Sequence, residues 1–289
     1  MDLCGFLERH PRVLVLTGAG CSTDSGIPDY RDRTGAWKRS PPMHLQPFLQ
    51  DPAMRRRYWA RSLIGWPRFH SARPNAAHAA LARLEAQGRV EQLVTQNVDG
   101  LHQRAGSRAV IDLHGRLDRV CCTGCGALLH REELQQQLLA RNPRWSARAA
   151  PQAPDGDADL EGADWSDFEV PDCERCGGIL KPDVVFFGER VPPERVARAM
   201  QHLGRADALL VVGSSLMVYS GYRFAQAAAQ AGKPIAAVNL GHTRADALLS
   251  LKIERGCAEA LGCLARLPQW RAPPATSAWA SPIALSTKA

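Results

Sequence analysis

The chain has 289 residues, a formal net charge of +7, 45% hydrophobic residues and 22% charged residues. Those values lie near the averages of soluble globular proteins and exclude a wholly disordered chain, a collagen and a coiled coil. The length suits about two domains, or one large domain with an insertion.

The basic residues are scattered rather than gathered with aromatics into a patch, which argues against nucleic-acid binding as the main function. Residues 1–12 contain acids and a proline and lack a cationic start followed by a long apolar run. Apolar stretches such as 209–213 fall far short of the ~20 residues a membrane helix needs. The cytoplasm is the expected compartment, with no membrane partner. Of the nine cysteines, four form two C-x-x-C pairs. In a reducing compartment that pattern points to metal rather than to a disulfide framework.

In chain order, residues 12–20 (RVLVLTGAG) read as a buried strand running into a glycine-rich turn. The apolar run is continuous, as expected of a parallel strand covered on both faces. The turn Thr17-Gly18-Ala19-Gly20-Cys21-Ser22 would let backbone N–H groups approach a phosphate, with a plain tight turn as the rival reading. A full G-x-G-x-x-G would need Gly at 23, where Thr23 stands, and no acid lies near 38–40 to hold an adenosine ribose. The turn therefore points to a dinucleotide-like ligand but departs from the hydride-transferring dehydrogenases. The loop Ser25-Gly26-Ile27-Pro28-Asp29-Tyr30-Arg31 follows. Its Arg31 is suited to pairing with a pyrophosphate, against the alternative of a solvated surface loop.

Residues 38–74, rich in Arg, Pro and aromatics, read as a helical excursion, and 76–88 as a helix. A second buried strand, 92–99, ends in Thr95-Gln96-Asn97-Val98-Asp99, followed by Gly100-Leu101-His102. Amide and carboxylate side chains at a strand end are expensive to bury without partners and suit ribose and carboxamide groups, unless they only cap the strand. His114, between Leu113 and Gly115, is a candidate general base by its near-neutral pKa, although a lone His is more often structural.

Cys122-x-x-Cys125 and Cys173-x-x-Cys176 give a strong signal for a closed tetrahedral zinc site, with no open position for a catalytic water. Cys121 is adjacent, but only Cys122 gives the x-x spacing. Within the gap, 151–169 is acidic and poor in apolar residues and reads as an exposed loop. Helical patterns at 193–204 and 221–232, each ending in Gly, alternate with apolar runs at 209–215 and 234–241. Residues 272–289 read as a disordered tail. Strands alternating with helices predict an α/β, doubly wound parallel sheet, which binds ligands at the carboxyl ends of its strands.

These pieces together resemble the sirtuin family of NAD-dependent protein lysine deacylases. The matching stretches are GAGCSTDSGIPDYR (18–31), TQNVDGLH (95–102), LHG (113–115), the four cysteines, LKPDVVFFGE (180–189), VVGSSLMVYS (211–220) and VNLG (238–241). The long gap between the Cys pairs, YWARSLIGW at 58–66 and SGYRF at 220–224 resemble the class II branch, which includes the mitochondrial sirtuin four. Tyr30 stands where the family more often has Phe.

The resemblance implies a Rossmann-like NAD-binding domain built from 1–37, 75–115 and 185–270. It implies a small domain made of a helical module (38–74) and a zinc-binding module (116–184), and a tail (271–289). NAD, the co-substrate, would lie with its pyrophosphate at Gly18, Ala19 and Gly20, near Ser22, Asp29, Tyr30, Arg31 and Trp37. Gln96, Asn97, Val98 and Asp99 would hold the nicotinamide ribose and carboxamide. Gly213, Ser214, Ser215, Asn239, Leu240, Gly241 and Cys257 would line the adenosine half. His114 would be the base on a ribose hydroxyl that captures the acyl group, giving free lysine, nicotinamide and O-acyl-ADP-ribose. One structural zinc per chain would be held by Cys122, Cys125, Cys173 and Cys176.

An acylated-lysine protein would add as a strand along Val185, Phe186 and Phe187. Tyr58 and Arg61, three apart on a predicted helix, would read an acidic acyl group. That spacing competes with a basic solvated face, and Trp59 and Trp66 would alternatively line a pocket for long acyl chains. Mono-ADP-ribosyl transfer and a non-catalytic NAD-sensing silencing role share the same binding residues. The acyl group, the protein targets and the oligomeric state stay open.

Overall fold

The computed structural model describes residues 2–38, 42–145, 157–158 and 164–266. The predicted tail, 272–289, lies outside them. In chain order the elements are α1 (Leu3–Arg9), β1 (Val13–Thr17), α2 (Leu45–Gln50), α3 (Pro52–Ser71), α4 (Ala76–Ala86), β2 (Val90–Thr95), α5 (Leu101–Arg104), β3 (Val110–Asp112), β4 (Gly115–Cys122), β5 (Leu128–His130), α6 (Arg131–Arg141), β6 (Leu180–Val184), α7 (Pro193–Arg205), β7 (Ala208–Val212), α8 (Tyr219–Gln230), β8 (Ile235–Val238), β9 (Leu251–Ile253) and α9 (Cys257–Leu261).

Six strands form one parallel sheet in the order β3-β2-β1-β7-β8-β9. The alternation of side chains along each strand divides them between two cores. Val13 and Val15 pack with Leu93, Leu210 and Val238 against α1, α4 and α9, while Leu14 and Leu16 pack with Val94, Leu209 and Val211 against α7 and α8. Burial on both faces explains the unbroken apolar runs of β1, β7 and β8. The strand order reverses between β1 and β7, so the carboxyl ends of those neighbours open a crevice there.

A second sheet, β5-β4-β6, is antiparallel. It continues directly from β3 through Leu113 and His114, so His114 sits where the two sheets join. Gly115 makes that turn sterically feasible. Its φ is +83°, and a Cβ there would lie 2.0 Å from Asp183 O. A third core gathers α2, α3, α6 and this ribbon around Trp59, Tyr58, Leu134 and Trp145.

Several expectations need correction. Gly88 and Gly232, at φ of +76° and +66°, do lie just past α4 and α8 as left-handed stops, but Gly204 lies inside α7, which ends at Arg205. The reading of 151–169 as an exposed loop holds for Asp164, Ser166, Asp167 and Glu169 but fails elsewhere among its described residues. Asp157, Ala158 and Phe168 are buried, and Trp165 stacks on Trp145 at 5.2 Å. The edge strands β3 and β9, three residues each, carry too short a pattern to be read from sequence.

Candidate active site and metal centre

A cavity of about 850 Å³ occupies the crevice at the strand-order reversal and runs toward the ribbon. Its floor is the turn after β1. Gly18, Ala19, Gly20 and Ser22 all line it. The glycines serve a different end from the one expected. Gly18 N–H donates to Val212 O (3.0 Å) and Gly20 N–H to Gly213 O (2.9 Å), so both groups are already engaged. A Cβ on Gly18 would lie 2.7 Å from Ser214 Cβ. The two glycines thus let the turns after β1 and β7 touch, and of the three residues only Ala19 keeps an N–H without an acceptor among the described residues.

The end of β2 supplies the polar wall. Gln96 Nε2 donates to Ser214 Oγ (2.7 Å), and Asn97 Nδ2 donates to Gly18 O (3.0 Å) and Ser22 Oγ (3.1 Å). Ser22 Oγ in turn donates to Asp99 Oδ2 (2.7 Å), while Asp99 Oδ1 accepts from Leu101 N–H (2.9 Å). Burial raises the Asp99 carboxyl above its ordinary range, and these hydrogen bonds pull it back. Val98 lines the same wall, and Gly213, Ser214, Ser215, Asn239 and Leu240 form the far end.

Asp29, Tyr30, Arg31 and Trp37 form a flap over the cavity. The Arg31 guanidinium stacks 3.8 Å above Trp37 and donates to Gly35 O (2.7 Å), and Lys38 pairs with Asp29. Trp37 also meets Phe187 edge-on at 5.6 Å, joining the flap to the segment after β6. Val185, Phe186, Phe187 and Tyr58 line that end.

His114 lies between the polar and the aromatic ends. Its Nδ1 donates to Gln96 O (2.9 Å), and Nε2 accepts from Ser220 Oγ (2.8 Å). A carbonyl can only accept, so this contact sets the tautomer and leaves Nε2 with a lone pair. Burial, reinforced by the charges of Arg195 and Arg223, lowers the His114 pKa to about 4. The ring is therefore neutral and in its base form at physiological pH.

Three predicted residues are not brought to the cavity. Gly241 packs against Arg33, whose O would lie 2.2 Å from a Cβ at that position. Cys257 is buried in the core below, where desolvation pushes its thiol up to about 12. Arg61 donates from Nε to Ala158 O (2.8 Å), and Ala158 N–H returns a bond to Arg61 O (2.9 Å). Arg61 therefore anchors the buried segment at 157–158 and is no part of the cavity wall. Sequence reasoning missed Ser220 and Arg223. Their traces were the runs VVGSSLMVYS (211–220) and SGYRF (220–224), valued as a resemblance rather than read for chemistry.

At the ribbon, the sulfurs of Cys122, Cys125, Cys173 and Cys176 all lie within 4.8 Å of one another, with Cys122–Cys176 at 3.5 Å and Cys125–Cys173 at 3.8 Å. Cys125 N–H and Gly124 N–H donate to Cys122 Sγ, which favours its thiolate. Four convergent thiols, with no further donor in the cluster among the described residues, fit one structural zinc ion. Cys121 faces the other way on β4, beside Lys181. Cys21, His78 and His102 also cluster within 4.8 Å in the core. There His78 Nδ1 accepts from Asn75 N–H (3.3 Å), which places the ring proton on Nε2. That trio is structural packing beneath the cofactor turn.

A six-stranded doubly wound sheet with its cavity at the strand reversal, a buried imidazole in that cavity and a four-thiolate ribbon define a nucleotide-using enzyme with a structural metal module. Residues 18–220 match the Sir2 family, and the chain belongs to that family. It is 65% identical over 263 residues to an NAD-dependent protein deacetylase of Xanthomonas campestris pv. campestris, covering 91% of this chain and 90% of that protein. It is 66% identical to NAD-dependent protein deacetylase 2 of Bradyrhizobium diazoefficiens, covering 91% and 96%. Among solved structures, a Sir2 complex with a p53 peptide and NAD+ superposes with a TM-score of 0.69 at 31% identity, covering 90% of this chain and 96% of that one.

Proposed function

We propose that this chain is an NAD-dependent protein lysine deacetylase, and that the residues assembled in the cavity carry the reaction. The observation that bears most weight is His114. Its tautomer is set from behind by Gln96, and it lines the cavity with its Nε2 accepting from the Ser220 hydroxyl, which lines the same cavity. A binding module has no use for a base there. NAD supplies an electrophilic anomeric carbon with nicotinamide as its leaving group.

The chain's own part is positioning and proton transfer. Arg31, stacked on Trp37 at the cavity wall, and the Ala19 N–H would face the phosphates. Gln96, Asn97 and Asp99, tied to Gly18, Ser22 and Ser214, hold the nicotinamide-ribose end. Ser214, Ser215, Asn239 and Leu240 hold the adenosine end. His114 Nε2 takes the proton from a ribose hydroxyl as that oxygen captures the acyl group. Substrate protein enters as an added strand between the segments 184–189 and 215–219, so recognition reads backbone more than side chains. Tyr58 and Phe186 line the acyl end with aromatic surface.

The catalytic unit is discontinuous, formed by 1–37, 75–115 and 185–270, with 38–74 and 116–184 as the small unit held by zinc. Among the described residues no helix is long and apolar enough to cross a membrane, and we place the protein in the cytoplasm. The test is a panel of acyl-lysine peptides with NAD, read by mass spectrometry for deacylated peptide and nicotinamide. Nicotinamide release accompanied by labelled protein and no deacylated peptide would turn the assignment toward ADP-ribosyl transfer.

A further inference from the structure

Ser220 and His114 carry a chemistry that NAD-dependent deacylation does not require. Because Gln96 O holds the His114 proton on Nδ1, Ser220 is the donor in the 2.8 Å contact with Nε2. A hydroxyl, an imidazole and an acceptor in this order form the arrangement that activates a serine as a nucleophile. Here a main-chain carbonyl stands where a carboxylate more often orients the ring.

The surroundings suit an oxyanion. Ser220 is the second residue of the 12-residue helix α8, at its positive end. The N–H groups of Tyr219 and Ser220 have no acceptor among the described residues. Arg223, three residues on and thus on the same face, lines the cavity, and its Nε is buried without a partner. Ser220 is only 8% exposed but lines the cavity, so a small ester that enters the acyl end reaches its Oγ.

We propose that Ser220 and His114 form a second, NAD-independent acyl-transfer centre that hydrolyses short-chain carboxylic esters. Ser220 Oγ attacks the ester carbon while its proton passes to His114 Nε2. The bond from that carbon to the alcohol oxygen breaks, and Nε2 returns the proton to the leaving alkoxide. Water then attacks the acyl-serine by the same route, releasing the carboxylic acid and restoring the hydroxyl. No oxidant or reductant is needed. The proposal shares His114 with the deacetylase reading but does not need NAD. Because burial makes His114 a weak base, turnover is expected to be slow.

The full chain is incubated without NAD with p-nitrophenyl acetate, nitrophenol release is followed, and early time points are quenched for peptide mass mapping. The expected results are an acetyl group on Ser220 and a drop of at least ~10-fold in turnover for both Ser220→Ala and His114→Ala. Retention of more than about half the rate in Ser220→Ala, or an adduct on a lysine or cysteine with none on Ser220, overturns the proposal. If Ser220→Ala fails to fold, the adduct map of the unaltered protein decides alone. Nicotinamide release is measured on the same preparations. Its absence with ester hydrolysis intact sinks only the deacetylase reading, and the reverse pattern sinks only this proposal.

Discussion

Two imidazoles, His78 and His102, are fully buried and a third, His114, is half-buried against the cavity; all three are neutral, and mild acid is the perturbation that reads them. Burial lowers His78 and His114 to about 4, and burial together with the His78 charge lowers His102 to about 3, against an ordinary 6.5. Unfolding returns each to its ordinary value. From about pH 6.5 down to about pH 4 the unfolded chain therefore binds more protons than the folded one, so stability is lost as pH falls through that window. Between about pH 7 and pH 5.5 each histidine forfeits ~1.2 kcal/mol, or ~4 kcal/mol for the three together. Asp99 and Asp112 act in the opposite sense. Burial raises both carboxyls, so acid restores part of the loss.

A net loss of roughly 2–4 kcal/mol is expected, a large share of the 5–15 kcal/mol typical of a domain. Urea unfolding followed by circular dichroism at these two pH values measures it, with zinc content checked at each. A loss below about 1 kcal/mol would refute the reasoning, since the three rings would then be hydrated or partnered in the folded state.

Other outcomes follow from the same geometry. His114→Ala is expected to lower deacylation ~100- to 10,000-fold while NAD still protects against thermal unfolding, and more than a tenth of wild-type turnover would remove His114 as the base. Elemental analysis should find one zinc per chain, and Cys173→Ser should lose it together with the ribbon's fold, because structural zinc contributes folding free energy directly. Gly18→Ala puts a Cβ 2.7 Å from Ser214 Cβ. It should separate the turns after β1 and β7, seen as a raised KM for NAD at modest cost in melting temperature. Arg61→Met should leave the ratio of succinyl- to acetyl-lysine turnover unchanged, because its guanidinium is committed to Ala158 O. A selective fall in succinyl-lysine turnover would place Arg61 at the acyl group after all.

Much of this protein is settled locally along the chain. The apolar runs at β1, β7 and β8, and the shorter one at the end of β2, mark strands covered on both faces. The Cys-x-x-Cys spacing marks two knuckles, although the close sulfur pairs, Cys122–Cys176 and Cys125–Cys173, join residues 54 and 48 apart and are made by the ribbon fold. Gln96, Asn97, Asp99 and His114 stand out because polar groups at buried strand ends need partners. What the chain could not declare is which way a side chain faces once distant segments meet. Tyr58 and Arg61 share a helix face by spacing, yet packing turns one to the cavity and pins the other to a residue 97 positions on. Cys257 and Gly241 lie close to the site in sequence terms, but the core and the Arg33 backbone claim them. Ser220 and His114 are 106 residues apart. Only the closure of α8 over the junction between the two sheets brings a hydroxyl to the lone pair that Gln96 had left open.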